Sequence, residues 1–360
     1  MDRLLELLVK KGVVTPEEAS ELLKEVSGSG PESAVPTSPA NTGISPKVNI
    51  NGYVKIRAEW TENGDSANND TYRIRQARVA FYGESVPGLS YKLNLGLERT
   101  APVLLDAVLS YGLSPELKFT AGQFKIPLSR ESLQSGKDLD LMERAWFLDQ
   151  FRHANARDVG LKLAYRPHHD LNLEIGTFNG TGKNTTDTND QPIWVGRLSG
   201  KLKSGRLRIE PEIAYLHAPS EDGANPPIEQ SLRNTAGFAP YDKQVKQWGL
   251  AAFHSDFSLK YEYIQGRFKP QNSLLNAVIA DGMYVQLGAA LSERCTGFLR
   301  FENYDPDLKT TTSTDTEWTT LGLKFDKHKN LNYKLNYAWR KEAVTSDDND
   351  RFGLEMVMEY

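Results

Sequence analysis

Along most of the chain, apolar and polar residues alternate one by one. Leu331, Tyr333, Leu335, Tyr337 and Trp339 are interleaved with Asn332, Lys334, Asn336, Ala338 and Arg340. Phe257, Leu259, Tyr261 and Tyr263 are interleaved with Ser258, Lys260 and Glu262, and Met283, Val285, Leu287, Ala289 and Leu291 with Tyr284, Gln286 and Gly288. A period of two sends successive side chains to opposite faces of a strand. Each segment therefore carries one apolar, aromatic face and one polar, often charged face. The pattern predicts sixteen strands, at 47–61, 71–83, 89–98, 104–112, 116–125, 158–167, 170–179, 191–203, 205–217, 243–254, 256–268, 280–292, 295–304, 316–327, 330–343 and 350–360.

The connections between them alternate in length. Tight turns fall at Pro87-Gly88, Ser114-Pro115, His168-His169, Ser204-Gly205, Ser255, Glu293-Arg294 and His328-Lys329. Longer, polar connections span 62–70, 126–157, 180–190, 218–242, 305–315 and 344–349. Short turns at one end and long loops at the other mark an outer-membrane barrel, with an even number of antiparallel strands. A large soluble β protein would show similar alternation, but would not sort its loops this way. Trp60, Trp194, Trp248, Trp318 and Trp339 stand where an interfacial aromatic girdle is expected. The last segment places Phe352, Leu354, Met356, Met358 and Tyr360 on one face, as a closing, lipid-facing strand requires. The fold class is thus an all-β, sixteen-stranded antiparallel transmembrane barrel preceded by a short helical segment.

That segment differs in texture. In residues 1–26, Leu4, Leu5, Leu7, Leu8 and Val9 fill a first helix that Gly12 ends. Thr15, Pro16 and Glu18 restart a second, as cap, first helical residue and capping-box acid. So small a piece cannot bury its leucines alone, which points to association, an amphipathic surface hairpin being the alternative. Residues 27–46 are rich in Ser, Gly and Pro and read as a flexible tether. The barrel proper is 47–360.

Composition narrows the class further. No apolar run reaches the eighteen residues of a spanning helix, so a membrane protein of this sequence crosses with strands. Formal charge is −4, which does not suggest a nucleic-acid binder. Cys295 is the sole cysteine, so no intramolecular disulfide forms. Met1 is followed at once by Asp2 and Arg3, so an exported chain would be numbered after a removed leader. Neither G-x-S-x-G nor H-E-x-x-H occurs, so nothing points to an enzyme, a metal or a cofactor. The His168-His169 pair is read as solvated turn residues rather than a metal site.

Residues 121–165, AGQFKIPLSRESLQSGKDLDLMERAWFLDQFRHANARDVGLKLAY, resemble the phosphate-selective porin O/P family. The carrying motifs are Gly122, Phe124, Lys125 and Pro127, then Glu143-Arg144, then Arg157, Asp158 and Gly160. TYRIRQARVAFYG at 71–83 is similar to that family's Arg-rich second strand, and the leader to its N-terminal helices. The resemblance implies a homotrimeric outer-membrane channel with anion preference. It also implies that loop 126–157 folds inward and narrows the pore, and within it the helix-like spacing of Asp138–Phe151 predicts a short helix. The N-terminal segment would lie in the periplasm, and the barrel would meet membrane lipid and lipopolysaccharide.

Selectivity in a pore follows from the charges at its constriction. The expected pore-lining, anion-binding residues are Arg73, Arg75, Arg78, Lys125, Arg144, Arg197, Arg206 and Arg208. Alternation breaks near Gln76, so a bulge is expected there. Glu59, Glu98, Asp106, Glu174, Glu210, Glu212, Glu262 and Glu302 also point inward, so the lumen is mixed and ion pairing is the commoner role for any one arginine. The family often has two adjacent arginines where this chain has Arg75-Gln76, which weakens a tight phosphate site. The expected function is passive diffusion of small hydrophilic solutes with anion preference. The alternative is a barrel that sheathes a partner protein, such as an electron-transfer conduit.

Overall fold

The computed structural model describes residue 15 and residues 48–62, 70–151, 153–187, 190–221, 240–309, 315–342 and 350–360. Apart from Thr15, the leader expected over 1–26 and the tether over 27–46 lie outside the described residues. Sixteen strands follow: β1 Asn49–Thr61, β2 Thr71–Val86, β3 Leu89–Gly96, β4 Val103–Gly112, β5 Leu117–Lys125, β6 Arg157–His168, β7 Leu171–Phe178 and β8 Ile193–Gly200, the last continued as Leu202–Ser204. After them come β9 Leu207–Glu221, β10 Tyr241–His254, β11 Phe257–Pro270, β12 Val278–Ser292, β13 Cys295–Asp305, β14 Thr316–His328, β15 Leu331–Glu342 and β16 Arg351–Glu359. Each pairs antiparallel with the next, and β16 returns to β1, from Tyr53 opposite Glu359 to Thr61 opposite Arg351. Closure leaves no free sheet edge, which is the condition for crossing a bilayer with strands.

The two faces are inverted relative to a soluble protein. Ile74 is 57% exposed and Leu321 50%, whereas Arg300, on a strand's inner face, is 2% exposed. Ile56, Ile175, Ile213, Trp248, Leu287 and Leu354 share the outer face, while Lys55, Arg57, Glu212, Glu262, Lys334 and Glu355 are buried inside. An apolar outside over a charged inside is what lipid around and water within demand.

The barrel closes on its last residue. Tyr360 exchanges main-chain hydrogen bonds with Gly52, both 3.1 Å, and its hydroxyl donates to the Arg78 carbonyl of β2 at 3.1 Å. A Cβ on Gly52 would lie 2.3 Å from that hydroxyl, so glycine makes room for the terminal ring across the seam.

The segment 126–156 turns into the lumen. Its apolar residues Ile126, Leu128, Ala145, Phe147, Leu148, Phe151 and Ala154 form one buried cluster with Phe178, Val195, Leu216, Val245, Ile264, Phe268, Tyr284 and Tyr304. These partners lie on β7 to β13. Glycines on the inner faces of successive strands let the loop approach closely. A Cβ on Gly266 would meet Phe151 at 2.8 Å, on Gly282 Phe147 at 2.6 Å, on Gly322 Leu141 at 2.2 Å and on Gly353 Met142 at 2.6 Å.

Two expectations need correction. The stretch 138–151 is not one helix. The loop has a four-residue α-turn at Arg130–Leu133 and 3-10 turns at Gly136–Asp138 and Trp146–Gln150. Beyond these short turns, its main chain is bonded to wall side chains. Lys55 donates to the Gly136 and Met142 carbonyls at 3.2 and 3.3 Å, and Arg57 to Met142 O at 2.9 Å. Glu302 accepts from Trp146 N at 2.5 Å. The second correction is Trp318, which is no girdle residue. It stands opposite Glu302 on β13, faces the lumen and stacks on Trp146, with centroids 5.4 Å apart and planes at 15°.

Candidate functional site: a basic chamber beside the inward loop

Against β9 to β13 the loop is fastened by carboxylates. Glu212 accepts from Arg130 N at 3.1 Å, Glu262 from Glu131 N at 3.3 Å, and Asp140 receives Lys260 Nζ at 2.6 Å. Arg300 bonds Glu131 and, at 2.7 Å, Gln286. This side of the lumen is filled, and the packed loop argues against a protein guest inside the barrel.

Open space lies along β1 to β6. A cavity of about 320 Å3 is lined by the bases Arg78, Lys92, Lys125, Arg144, Arg157 and Lys162 and by one acid, Asp106, together with Tyr53, Gln76, Asn94, Ser135 and Asn155. It shares Tyr53, Arg78, Lys92, Asn94 and Ser135 with a larger cavity of about 900 Å3 that reaches the tight-turn end, at Gly88, Gly112 and Lys118. Some of these charges are matched: Arg78 pairs with Glu98 at 2.7 Å, Arg157 with Asp106 at 2.6 Å, Lys92 with Asp106 at 3.4 Å and Lys162 with Glu174 at 2.5 Å.

Lys125 and Arg144 are held differently. Lys125 Nζ donates to the carbonyls of Ser132 at 2.5 Å and Gln134 at 2.8 Å. Arg144 donates to the carbonyls of Glu131 at 3.0 Å and Gln134 at 2.6 Å. Two basic side chains thus converge on one peptide oxygen, which orients them without pairing either with a carboxylate in these bonds.

On β2 the expected bulge is present. Lys55 opposes Gln76 and Ile56 opposes Ile74, so Arg75 is the extra residue. The bulge lets three arginines reach carboxylates over or within the lumen. Arg73 bonds Glu59 at 2.5 Å, Arg75 bonds Glu143 at 2.8 and 2.9 Å, and Arg78 bonds Glu98. Gln76 accepts from Tyr53 Oη at 3.1 Å. Glu143, on the loop, also bonds Arg57. Burial alone would raise its pKa, but Arg57 and Arg75 outweigh that and hold the carboxyl well below the usual carboxylate range.

The remaining expected site residues lie elsewhere. Arg197 is clamped between Glu174 at 2.9 Å and Glu212 at 2.5 Å, on the filled side. Arg208 lies over the Phe253 ring at 4.1 Å and pairs with Glu210 at 3.3 Å. Arg206 sits exposed in the turn after β8 rather than on a lumen face. Arg157 was absent from the expected site, although the R-D-x-G motif contains it. Its neighbour Asp158 is fully buried and accepts from Gly180 N at 2.6 Å.

A family model described as phosphate-selective porin O and P matches residues 48–360. No curated protein sequence is significantly similar. Among solved structures, an anion-selective porin from Comamonas acidovorans aligns with a TM-score of 0.62 at 14% identity, over 88% of this chain and 99% of that one. The outer-membrane protein OmpT of Vibrio cholerae, in its trimer form, gives 0.61 at 11% identity over 88% and 100%. Salmonella typhi OmpF, in complex with daunomycin, gives 0.60 at 13% identity over 88% and 98%. At these identities the likeness is one of fold.

Proposed function

The chain belongs to the phosphate-selective porin O and P family, and from that premise we propose that this outer-membrane porin prefers small anions, inorganic phosphate among them, over cations of like size. As a porin it passes small hydrophilic solutes. One observation supports the preference above the others: Lys125 and Arg144 meet on the Gln134 carbonyl at the chamber, held by main-chain oxygens alone in the bonds described above. An anion crossing the chamber meets two oriented donors that these bonds do not tie to a carboxylate. Many of the remaining lumen charges pair with one another, as Arg78 does with Glu98 and Arg157 with Asp106, and these set shape more than sign.

Two further features belong to this reading. The barrel assembles as a homotrimer, as the OmpT form similar to it does. The segment 1–26 lies on the periplasmic side, and the apolar outer wall is bathed in membrane lipid and lipopolysaccharide. Planar-bilayer recording in a KCl gradient tests the central claim. The reversal potential is expected to lie on the chloride side, with phosphate reducing chloride current. A reversal potential on the potassium side would refute it. Native mass measurement in mild detergent, with and without residues 1–26, tests the assembly.

A further inference from the structure

Strands β10 and β11 change character along their outer face. From the tight turn at Ser255 the wall runs apolar through Leu259 and Leu250 to Trp248 and Tyr263, which stand opposite one another with ring centroids 5.4 Å apart. Beyond that pair, toward the connections 222–240 and 271–277, the outward positions become Lys246 and Gln265, then Gln244 and Arg267, then Asp242 and Lys269. Alternation fixes their direction: Val245, Ile264 and Phe268, their neighbours in sequence, are fully buried on the lumen side.

Lys246, Arg267 and Lys269 are exposed, and none pairs with another described residue. Asp242, the acid among them, is already engaged: His217 Nε2 lies 2.6 Å from its Oδ2, and Gln244 Nε2 donates to its Oδ1 at 3.0 Å. On β12 the same row carries Asp281, which accepts from the Tyr263 hydroxyl at 2.8 Å, so the basic patch is bounded on that side. Cross-strand positions two residues out of register lie about 7–8 Å apart, within reach of long side chains. Lys246 and Arg267 can therefore meet on one group, with Lys269 two residues further along.

We propose that Lys246, Arg267 and Lys269 bind a phosphate of lipopolysaccharide, with Trp248 and Tyr263 at the boundary between its sugars and its acyl chains. This rests on the reading of the outer wall as bathed in lipid and lipopolysaccharide, and sharpens it to one site and one chemical group. Unpaired cations directly above an aromatic pair match an anionic headgroup whose chains run down the apolar wall below. A free phosphate would need only the cations, so the continuity of the three zones favours the lipid. Long connections lie on the external side of such barrels, which sets the patch at the leaflet that carries phosphorylated glycolipid. The site faces away from the lumen, so it is separate from the basic chamber.

The test is native mass spectrometry of the full chain in mild detergent, with bisphosphorylated lipid A, dephosphorylated lipid A and inorganic phosphate as probes. A triple variant, Lys246→Gln with Arg267→Gln and Lys269→Gln, is compared with the parent and with Lys341→Gln, which removes an exposed lysine from the outer face of β15. The parent is expected to hold bisphosphorylated lipid A in preference to the dephosphorylated form, and the triple variant to bind it about tenfold more weakly, with K341Q unchanged. The reversal potential of the triple variant is expected to match that of the parent. Equal binding of bisphosphorylated lipid A to parent and triple variant would overturn the site, as would an equal loss in K341Q. Inorganic phosphate that binds the parent and is lost to the same degree in the triple variant would overturn the lipid as occupant. Binding of both lipids without preference would overturn this inference alone. Binding of neither would remove the lipid-facing reading as well.

Discussion

Strands β7–β13 and strands β1–β6 are two walls of one barrel, cut from the same alternating pattern, yet they meet the lumen in opposite ways. The first wall presents Phe178, Leu216, Val245, Phe268 and Tyr284 to the inward loop and buries its carboxylates under the loop's N–H groups. The second presents Arg78, Lys92, Lys125, Arg157 and Lys162 to open space. Filling one wall with apolar contacts leaves open space along the other. The lumen as a whole is nearly balanced in charge, but the route is not. Net charge of the chain, −4, is therefore no guide to what the route admits.

The sharpest way to break this division is to evict the loop. A Cβ on Gly282 would lie 2.6 Å from the ring of the fully buried Phe147, so Gly282→Leu must displace it. Overpacking of this kind costs about 1–3 kcal/mol and is relieved only by moving the loop away from the wall. Single-channel conductance is expected to rise severalfold, with noisier open levels. Phe147→Ala should loosen the same contact from the other side, at a cost of about 3–5 kcal/mol in thermal unfolding. Unchanged conductance in G282L would mean that the loop does not limit the pore.

A second test asks whether the walls differ in kind. Arg197 and Arg144 are both lumen arginines, but the first is clamped by Glu174 and Glu212 and the second by carbonyls. Arg197→Met should take one charged partner from each of two buried carboxylates, Glu174 keeping Lys162 and Glu212 keeping Arg130, and lower stability by about 2 kcal/mol, read as a fall in melting temperature, with little change in reversal potential. Arg144→Gln should do the reverse, keeping stability and losing much of the anion preference. Equal effects of the two on selectivity would erase the distinction between structural and permeation charges.

How much of this could be read from the chain depends on distance along it. The strands were legible because lipid outside and water inside impose a period of two on every segment. The expected bounds of β6, 158–167, and β12, 280–292, sit within two residues of Arg157–His168 and Val278–Ser292. The β2 bulge was legible for the same reason, since Arg73, Arg75 and Arg78 cannot share one face without an extra residue. Trp318 was misplaced although its phase was visible: it falls in step with Thr320, Gly322 and Lys324, on the inner face. The loop was not legible beyond its inward course. Its turns are fixed by Lys55, Arg57 and Glu302, residues far from it in sequence, and no local pattern records them. The inner-face glycines of β11, β12, β14 and β16 were a signal unused, since glycine on a lumen phase marks where something must come close.

The finest test bears on Gln76, where the family often carries a second arginine. Here Gln76 accepts the Tyr53 hydroxyl, and its amide oxygen lies 2.3 Å from where a Cβ on Gly136 would be. The side chain thus spans from β2 to the loop and bounds the chamber without adding charge. Gln76→Arg would place a further cation between Arg75 and Arg78 and would remove an acceptor from Tyr53. Arg75 is already committed to Glu143, so the new group would add to Lys125 and Arg144 rather than to a pair. Anion preference is expected to rise by less than twofold, since screened charges near existing ones add weakly. Conductance should fall slightly, because a longer side chain enters a narrow gap. A large gain in phosphate block of chloride current would show instead that the open wall lacked one donor for a tight site. The contrast between the two walls would then lie in a single residue of β2 and not in the loop.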